Sequence, residues 1–229
     1  MSYNCIDVSE HNKDIDWKSV KAAGVDYAII RAGFGRDYES QDDKYFSINI
    51  EDAYNAGIKI GVYFYSYATS TEAAESEAKH CLRLIEPYKD IIDLPIFYDV
   101  EESSIEKYVD ITIPEFERVL NTAGYNVGVY ATGYWFTHCL QYVAIDYLWV
   151  AYWGSDDGEP HTKPEWCDIW QYTSKGHVDG IDGLCDLDIL YNTEMHALID
   201  PPEEHSINIT IKLPQGVNPE DIDIKIDRC

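Results

Sequence analysis

Leu94-Pro95-Ile96-Phe97-Tyr98-Asp99-Val100-Glu101-Glu102 is an apolar, aromatic run that ends in acids. It reads as a buried strand. Side chains alternate across a strand, so Asp99 and Glu101 share one face and Val100 takes the other. Two carboxyls held together at an apolar strand end repel each other and lose hydration, so the pair keeps at least one proton near neutral pH. One protonated and one ionised carboxyl are what acid-catalysed glycoside cleavage requires. Alone, a D-x-E more often marks two solvated acids at a strand-to-loop junction. The sequence around it reverses that balance.

Outward from this run, strand-like and helix-like segments alternate. Strands are expected at Tyr3–Val8, Tyr27–Ala32, Ile58–Tyr67, Leu94–Glu101, Asn126–Thr132, Tyr147–Trp153, Asp168–Thr173 and Cys185–Leu190. Helices are expected at Asp16–Ala23, Tyr45–Ala56, Thr71–Ile85, Ile113–Ala123 and, short, Tyr134–Gln141. Thr69, Ser70 or Thr71 caps the third helix, and Pro114 falls in the first turn of the fourth. Gly24, Gly57 and Gly124 each stop a helix ahead of a strand. About eight strands with helices between the first five give an α/β fold, a TIM-like β/α barrel that is irregular over its last strands.

The barrel is assigned to residues 1–200, and 201–229 to a separate tail. Pro201-Pro202-Glu203-Glu204 reads as a linker. Ser206–Leu213 and Asp221–Ile226 then alternate apolar and polar residues around Leu213-Pro214-Gln215-Gly216, which suggests a small β-hairpin-like tail. A lone hairpin is marginally stable, so it packs on the barrel, self-associates with another chain, or belongs to a longer protein.

Composition narrows the function. With 17 Lys and Arg against 42 Asp and Glu, the net charge of −25 argues against nucleic acid and against anionic membranes as partners. No apolar run has the length of a membrane span. The first expected strand starts almost at Met1, so no signal peptide is expected; the chain is a mature fragment, a cytosolic protein, or one released by another route. The cysteines show no C-x-x-C spacing and the histidines are scattered, so no metal site or other cofactor is expected. Cys167 and Cys185 flank an expected hairpin, which leaves open whether they bridge.

In a β/α barrel the functional side chains gather at the carboxyl ends of the strands. Here those ends carry Asp7, Arg31, Tyr63, Tyr65 and Tyr67, Asp99 and Glu101, Tyr130, Tyr152 and Trp153, Trp170, Gln171 and Tyr172, and Asp186 and Asp188. If the barrel closes, its first and last strands are neighbours and Asp7 lies near Asp186. Acids from three strands, one arginine and many aromatics at one rim favour a catalytic reading.

Ile6-Asp7-Val8-Ser9-Glu10-His11-Asn12, Ile30–Gly35, Gly61–Ala68, Tyr98-Asp99-Val100-Glu101, Gly128-Val129-Tyr130, Trp149–Trp153, Ile169–Tyr172, Gly180–Gly183 and Asp186-Leu187-Asp188 occur in one order over residues 3–195. Together they resemble glycoside hydrolase family 25, the lysozymes (N-acetylmuramidases) of phage endolysins and secreted bacterial and fungal enzymes. The resemblance implies an irregular barrel with fewer helices than strands. It also implies extracellular action on the bacterial cell wall, with hydrolysis of the β-1,4 bond between N-acetylmuramic acid and N-acetylglucosamine of peptidoglycan. By motif, Glu101 takes the place of the general acid and Asp99 of the assisting carboxylate. Asp7 and Asp186 take the places of two further cleft acids, whose charge would help hold Glu101 protonated. Tyr63, Tyr65, Tyr130, Trp153 and Trp170 match aromatic cleft positions. Arg31 tethers an acid or a substrate carboxylate, or forms an internal salt bridge. Glu10-His11-Asn12 departs from the family pattern near Asp7, and the tail lies outside it.

Two chemical routes stay open at this level: attack by the substrate acetamido group with Asp99 as its partner, or inversion by an activated water. The rival readings are a chitinase-like barrel glycosidase and a non-catalytic glycan-binding barrel. Leu94, Pro95 and Phe97 stand where chitinase-like chains carry further acids, and the cleft acids argue against a decayed site. So acidic a barrel is repelled by anionic wall polymers, which suggests a separate wall-binding domain.

Overall fold

The computed structural model describes residues 2–199. The expected linker and tail strands of 201–229 lie outside the described residues. β1 (Tyr3–Val8), β2 (Tyr27–Phe34), β3 (Lys59–Tyr65), β4 (Ile92–Asp99), β5 (Val127–Thr132), β6 (Leu148–Ala151), β7 (Ile169–Gly176) and β8 (Cys185–Leu190) close into one barrel in sequence order. Neighbours from β1 to β7 are parallel. β8 runs antiparallel to both β7 and β1. Helices α1 (Trp17–Ala22), α2 (Phe46–Asn55), α3 (Thr71–Ile85), α4 (Val109–Thr122) and α5 (Gly133–His138) fill the connections up to β6. The sequence expectation of an irregular barrel with fewer helices than strands holds.

Local chemistry explains the boundaries. Asp16 caps α1, its side chain accepting from the Lys18 and Ser19 amides, and Ser70 caps α3 by accepting from the Ala73 amide at 3.2 Å. α4 starts at Val109 rather than Ile113, so Pro114 sits inside it and not in its first turn. The 3₁₀ segment Ser103–Tyr108 runs directly into α4, and the carbonyl that Pro114 cannot engage belongs to exposed Asp110. Pro95 lies in β4, where it cannot donate to the ladder; the β3–β4 register shifts there, from Ile60 opposite Ile92 to Val62 opposite Ile96.

The barrel wall separates two cores. Ile6, Ile30, Val62, Tyr98, Val129 and Val150 face outward onto the helices. Inside the barrel Ile29, Tyr63, Leu94, Phe97, Tyr130, Trp149 and Ile169 pack together. Trp149 is central: its ring meets Tyr63, Phe97 and Tyr130 at centroid distances of 5.8, 5.5 and 4.5 Å. Gly128 makes room for this filling, because a Cβ there would lie 2.5 Å from the Phe97 ring.

The Cys167–Cys185 bridge that the sequence left open does not form, since both are free thiols. Cys185 opens β8 opposite Gly176, whereas Cys167 precedes β7 at the far end of the same hairpin, where Ile169 pairs with Leu190. The two are separated by the length of the hairpin, beyond disulfide reach. The thiol of Cys167 instead donates to the Pro164 carbonyl at 3.2 Å.

Gly128→Ala should destabilise the barrel by about 1–3 kcal/mol through overpacking against Phe97. Urea unfolding followed by tryptophan fluorescence reads this directly; a midpoint equal to the parent's would show that Phe97 yields freely.

Candidate active site

A cleft of about 410 Å³ opens at the carboxyl ends of the parallel strands. That volume falls within the roughly 300–1,000 Å³ usual for small-ligand sites. Asp7, Arg31, Tyr63, Tyr65, Asp99, Glu101, Tyr130, Trp153 and Asp186 all line it, together with Trp149 and Gln171. The barrel register produces this convergence. Asp99 is the last residue of β4 and pairs with Tyr130 of β5 and Tyr65 of β3. The Val100 amide still donates to the Tyr130 carbonyl, at 3.0 Å, so the chain continues along the wall past the strand. Because β8 is antiparallel, its first residues reach the same rim, and Asp7 pairs with Asp186.

The acids sit in a dry, like-charged setting. Burial holds the Asp99 carboxyl well above the usual carboxylate range; the Glu101 charge adds to this and Arg31 opposes it. Asp99 Oδ1 is buried and meets no hydrogen-bond donor. Glu101, half-buried, is raised by burial and then by Glu102. Asp186 is pushed up to about 6 by burial, then by the charges of Glu101 and Asp156. Asp7 is raised well above its ordinary value by burial, then by Asp186 and Asp188, against a hydrogen bond from Gln171. The expected help from Asp7 and Asp186 in holding Glu101 protonated is narrowed: burial and then Glu102 raise Glu101, Asp7 is itself held toward its neutral form, and the Glu101–Asp186 repulsion, felt by both, leaves Asp186 as the contributor.

Gln171 joins the walls. Its Nε2 donates to Asp7 Oδ2 at 2.7 Å, and its Oε1 accepts from the Tyr130 hydroxyl and from Trp153 Nε1, each at 2.9 Å. Arg31 is anchored from behind: Nε donates to Asp43 at 2.8 Å and Nη2 to Glu10 at 3.4 Å. Asp43 is in turn fixed by the Glu10 and Tyr45 amides. Arg31 is thus the internal salt-bridge partner that one sequence reading gave, while its side chain still borders the cleft.

The sequence profile of glycosyl hydrolases family 25 matches residues 6–181. The chain belongs to this family. Lysozyme M1 of Streptomyces globisporus is 31% identical over 195 residues, covering 79% of this chain and 65% of that protein. Among solved structures, the bacterial lysozyme of Streptomyces coelicolor superimposes with a TM-score of 0.70 at 28% identity, over 84% of this chain and 93% of that one. The modular autolysin LytC of Streptococcus pneumoniae gives a TM-score of 0.70 at 31% identity, over 83% and 47% of the two chains, and has also been solved with a synthetic peptidoglycan ligand. The chain thus spans 65% of that curated relative and under half of that autolysin.

Set on this family 25 barrel, one expected cleft residue moves. Trp170 does not line the cleft. It alternates with Ile169 and Gln171, which face inward, so its ring is turned to the outside of β7 and its Nε1 donates to the Tyr152 carbonyl at 2.8 Å. Conversely, Trp149 was absent from the sequence-derived set. It stands four residues before Trp153 and on the same face, so strand alternation applied to the whole of β6 would have found it. Gln171 was seen at a strand end, but nothing in the sequence revealed that it bridges Asp7 to the aromatic wall.

The raised carboxyl of Asp186 makes a signed prediction. A folded-state value near 6 against an ordinary 3.8 means that the folded protein binds the proton more tightly. The contribution of Asp186 to stability is then full below pH 3.8 and lost as the pH rises through 6. Asp186→Asn should therefore match the parent's stability near pH 3 and exceed it at pH 7. Urea unfolding across that range checks this, and parallel stability curves would refute it.

Proposed function

We propose that the chain is a lysozyme-type peptidoglycan hydrolase that cleaves the β-1,4 bond between N-acetylmuramic acid and N-acetylglucosamine, with Glu101 as general acid and Asp99 as assisting carboxylate. The reading rests above all on one observation: the buried Asp99 presents an oxygen without a donor beside Glu101 in an aromatic cleft. An unsatisfied buried acceptor at a site calls for a ligand donor. The N–H of a substrate acetamido group is such a donor, and it points the acetamido oxygen at the anomeric carbon. Hydrogen bonding to this N–H favours ionised Asp99. Its charge then raises the affinity of Glu101 for the proton, which Glu101 delivers to the leaving oxygen. Tyr63, Tyr65, Tyr130 and Trp153 supply the apolar faces on which sugar rings pack, and Arg31 offsets part of the carboxylate charge.

The described barrel has the acids, aromatics and anchors this scheme needs, so residues 1–200 are assigned as the catalytic unit and 201–229 as a separate segment. The site of action is the bacterial cell wall, outside the membrane. The peptidoglycan ligand seen on the pneumococcal autolysin supports the substrate class.

Incubation with purified Gram-positive cell walls tests the proposal through loss of turbidity and mass spectrometry of the released fragments. Fragments with reducing-end muramic acid are expected. Glu101→Gln should lower the rate by roughly 10²–10⁴-fold, the usual contribution of a general acid. Reducing-end glucosamine would place the cut at the other bond, and absence of release by the parent protein would favour a glycan-binding barrel. NMR of the first-formed anomer separates the routes: retention supports acetamido attack, inversion an activated water.

A further inference from the structure

Asp188 is an acid of the barrel interior to which the reaction above gives no part. Antiparallel β8 enters from the rim, so Asp186 lies opposite Asp7 and Asp188 lies one layer deeper, opposite Cys5. Asp188 is 2% exposed and does not line the cleft. Its Oδ1 accepts from Trp149 Nε1 at 2.7 Å, while its Oδ2 meets no N–H or hydroxyl donor. Asp7 and Asp188 are diagonal neighbours on the inner face of the β1–β8 ladder, so this unsatisfied oxygen lies beside the Asp7 carboxyl.

The polar and titratable groups around the pair are Cys5 on β1, Tyr63 on β3, Tyr130 on β5, Trp149 on β6, Gln171 and Tyr172 on β7, and Cys185 and Asp186 on β8. None is a cation, and Arg31, the nearby cleft guanidinium, is bound to Asp43 and Glu10. Two carboxyls can hydrogen-bond only if one holds a proton, and without a neighbouring cation a doubly charged pair has no compensation. The surroundings place that proton. Each carboxyl accepts one N–H, Asp188 from the Trp149 indole and Asp7 from Gln171, but Asp7 is the one paired directly with the Asp186 carboxyl across the β1–β8 ladder, so the proton rests on Asp7.

We infer that Asp188 is a positioning residue that shares one proton with Asp7, holding the Asp7 carboxyl neutral and donating to Asp188 while the charge of the pair stays beside Trp149, beneath the cleft. Asp186 then faces a neutral neighbour and ionises without a second carboxylate against it. The catalytic consequence rests on the hydrolase reading; the shared proton does not.

Asp188→Asn tests this with almost no change of shape. The new amide oxygen still accepts from Trp149, and the new N–H donates to Asp7. The single negative charge is kept but moves onto Asp7. Native electrophoresis at pH 8.5, where Asp186 is ionised in parent and variant alike, should show no change in net charge, whereas Asp90→Asn, at an exposed position, removes one. Asp7→Asn, which keeps the charge on Asp188, should leave mobility unchanged too and serves if the first variant fails to fold. In wall hydrolysis, Asp186 bears on the rate through its repulsion with Glu101, so the limb of the pH–rate profile that reports its ionisation should move alkaline by about one unit in Asp188→Asn, because the carboxylate now at Asp7 opposes that ionisation. The effect should fall on kcat rather than KM.

Loss of one charge in both variants would mean that both carboxyls were ionised, and would overturn the inference. An unshifted pH profile, or a uniform fall in rate at every pH, would reduce Asp188 to a packing role and also overturn it. If the parent protein releases nothing from walls, the hydrolase reading fails, and the electrophoretic result alone decides the shared proton.

Discussion

Closure of the barrel by an antiparallel eighth strand is the constraint on which the site depends. A parallel β8 would deliver its carboxyl end to the cleft rim and leave Asp186 at the opposite end. Running the other way, it brings Asp186 level with Asp7 and sends Asp188 below them. The interior therefore holds a column of carboxyls with no cation inserted among them. Everything around the column answers to that cost: an indole N–H on Asp188, an amide N–H on Asp7, and shared protons in place of salt bridges.

The outer layer serves the same cleft from behind. Tyr98, one residue before Asp99 and on the opposite face of β4, stacks on Phe116 of α4 at 3.9 Å. Its hydroxyl donates to Glu77 of α3 at 2.6 Å, and Glu77 also receives the Ser66 hydroxyl and the Tyr67 amide. The strand that carries Asp99 and the turn that follows Tyr65 are thus tied to one buried carboxylate on α3. Burial raises the Glu77 carboxyl and these three donors oppose the shift, so its position, more than its charge, is what the network uses. Arg31 is fixed by the same logic through Asp43. The cleft side chains are held by partners that never touch the cleft.

Much of this was legible in the sequence, for a physical reason. Strand alternation is a local property, so Asp7, Tyr63, Tyr130, Asp99 and Trp153 could be placed at one rim from their own segments. Where a local rule was not followed through, the reading failed. Position at a strand end points to Trp170, although alternation gives the inner face to Gln171 beside it. Trp149 lies deeper in β6 than the rim, so a strand-end rule does not reach it. Long-range facts were not accessible: the antiparallel sense of β8, the Gln171 bridge, and the distance between Cys167 and Cys185 all depend on how separate segments meet. The same holds for protonation. Acids in a sequence read as charges, and only their burial against one another shows that some must be neutral.

Two carboxyl pairs then divide the work of managing protons. Asp99 and Glu101 lie on one wall, and Asp99 is the harder of the two to ionise because it is the more deeply buried. In the proposed mechanism a substrate N–H that satisfies Asp99 Oδ1 would reverse this order and send the proton to Glu101, so that acid strength would arise only once the sugar is in place. Asp7 and Asp188 lie on the opposite wall, where the partners are permanent and the proton has no reason to leave. One pair is left incomplete for a ligand to finish, and the other is completed within the protein. The difference comes down to one donor: Trp149 donates to Asp188 Oδ1, and no residue of the described barrel does the same for Asp99 Oδ1.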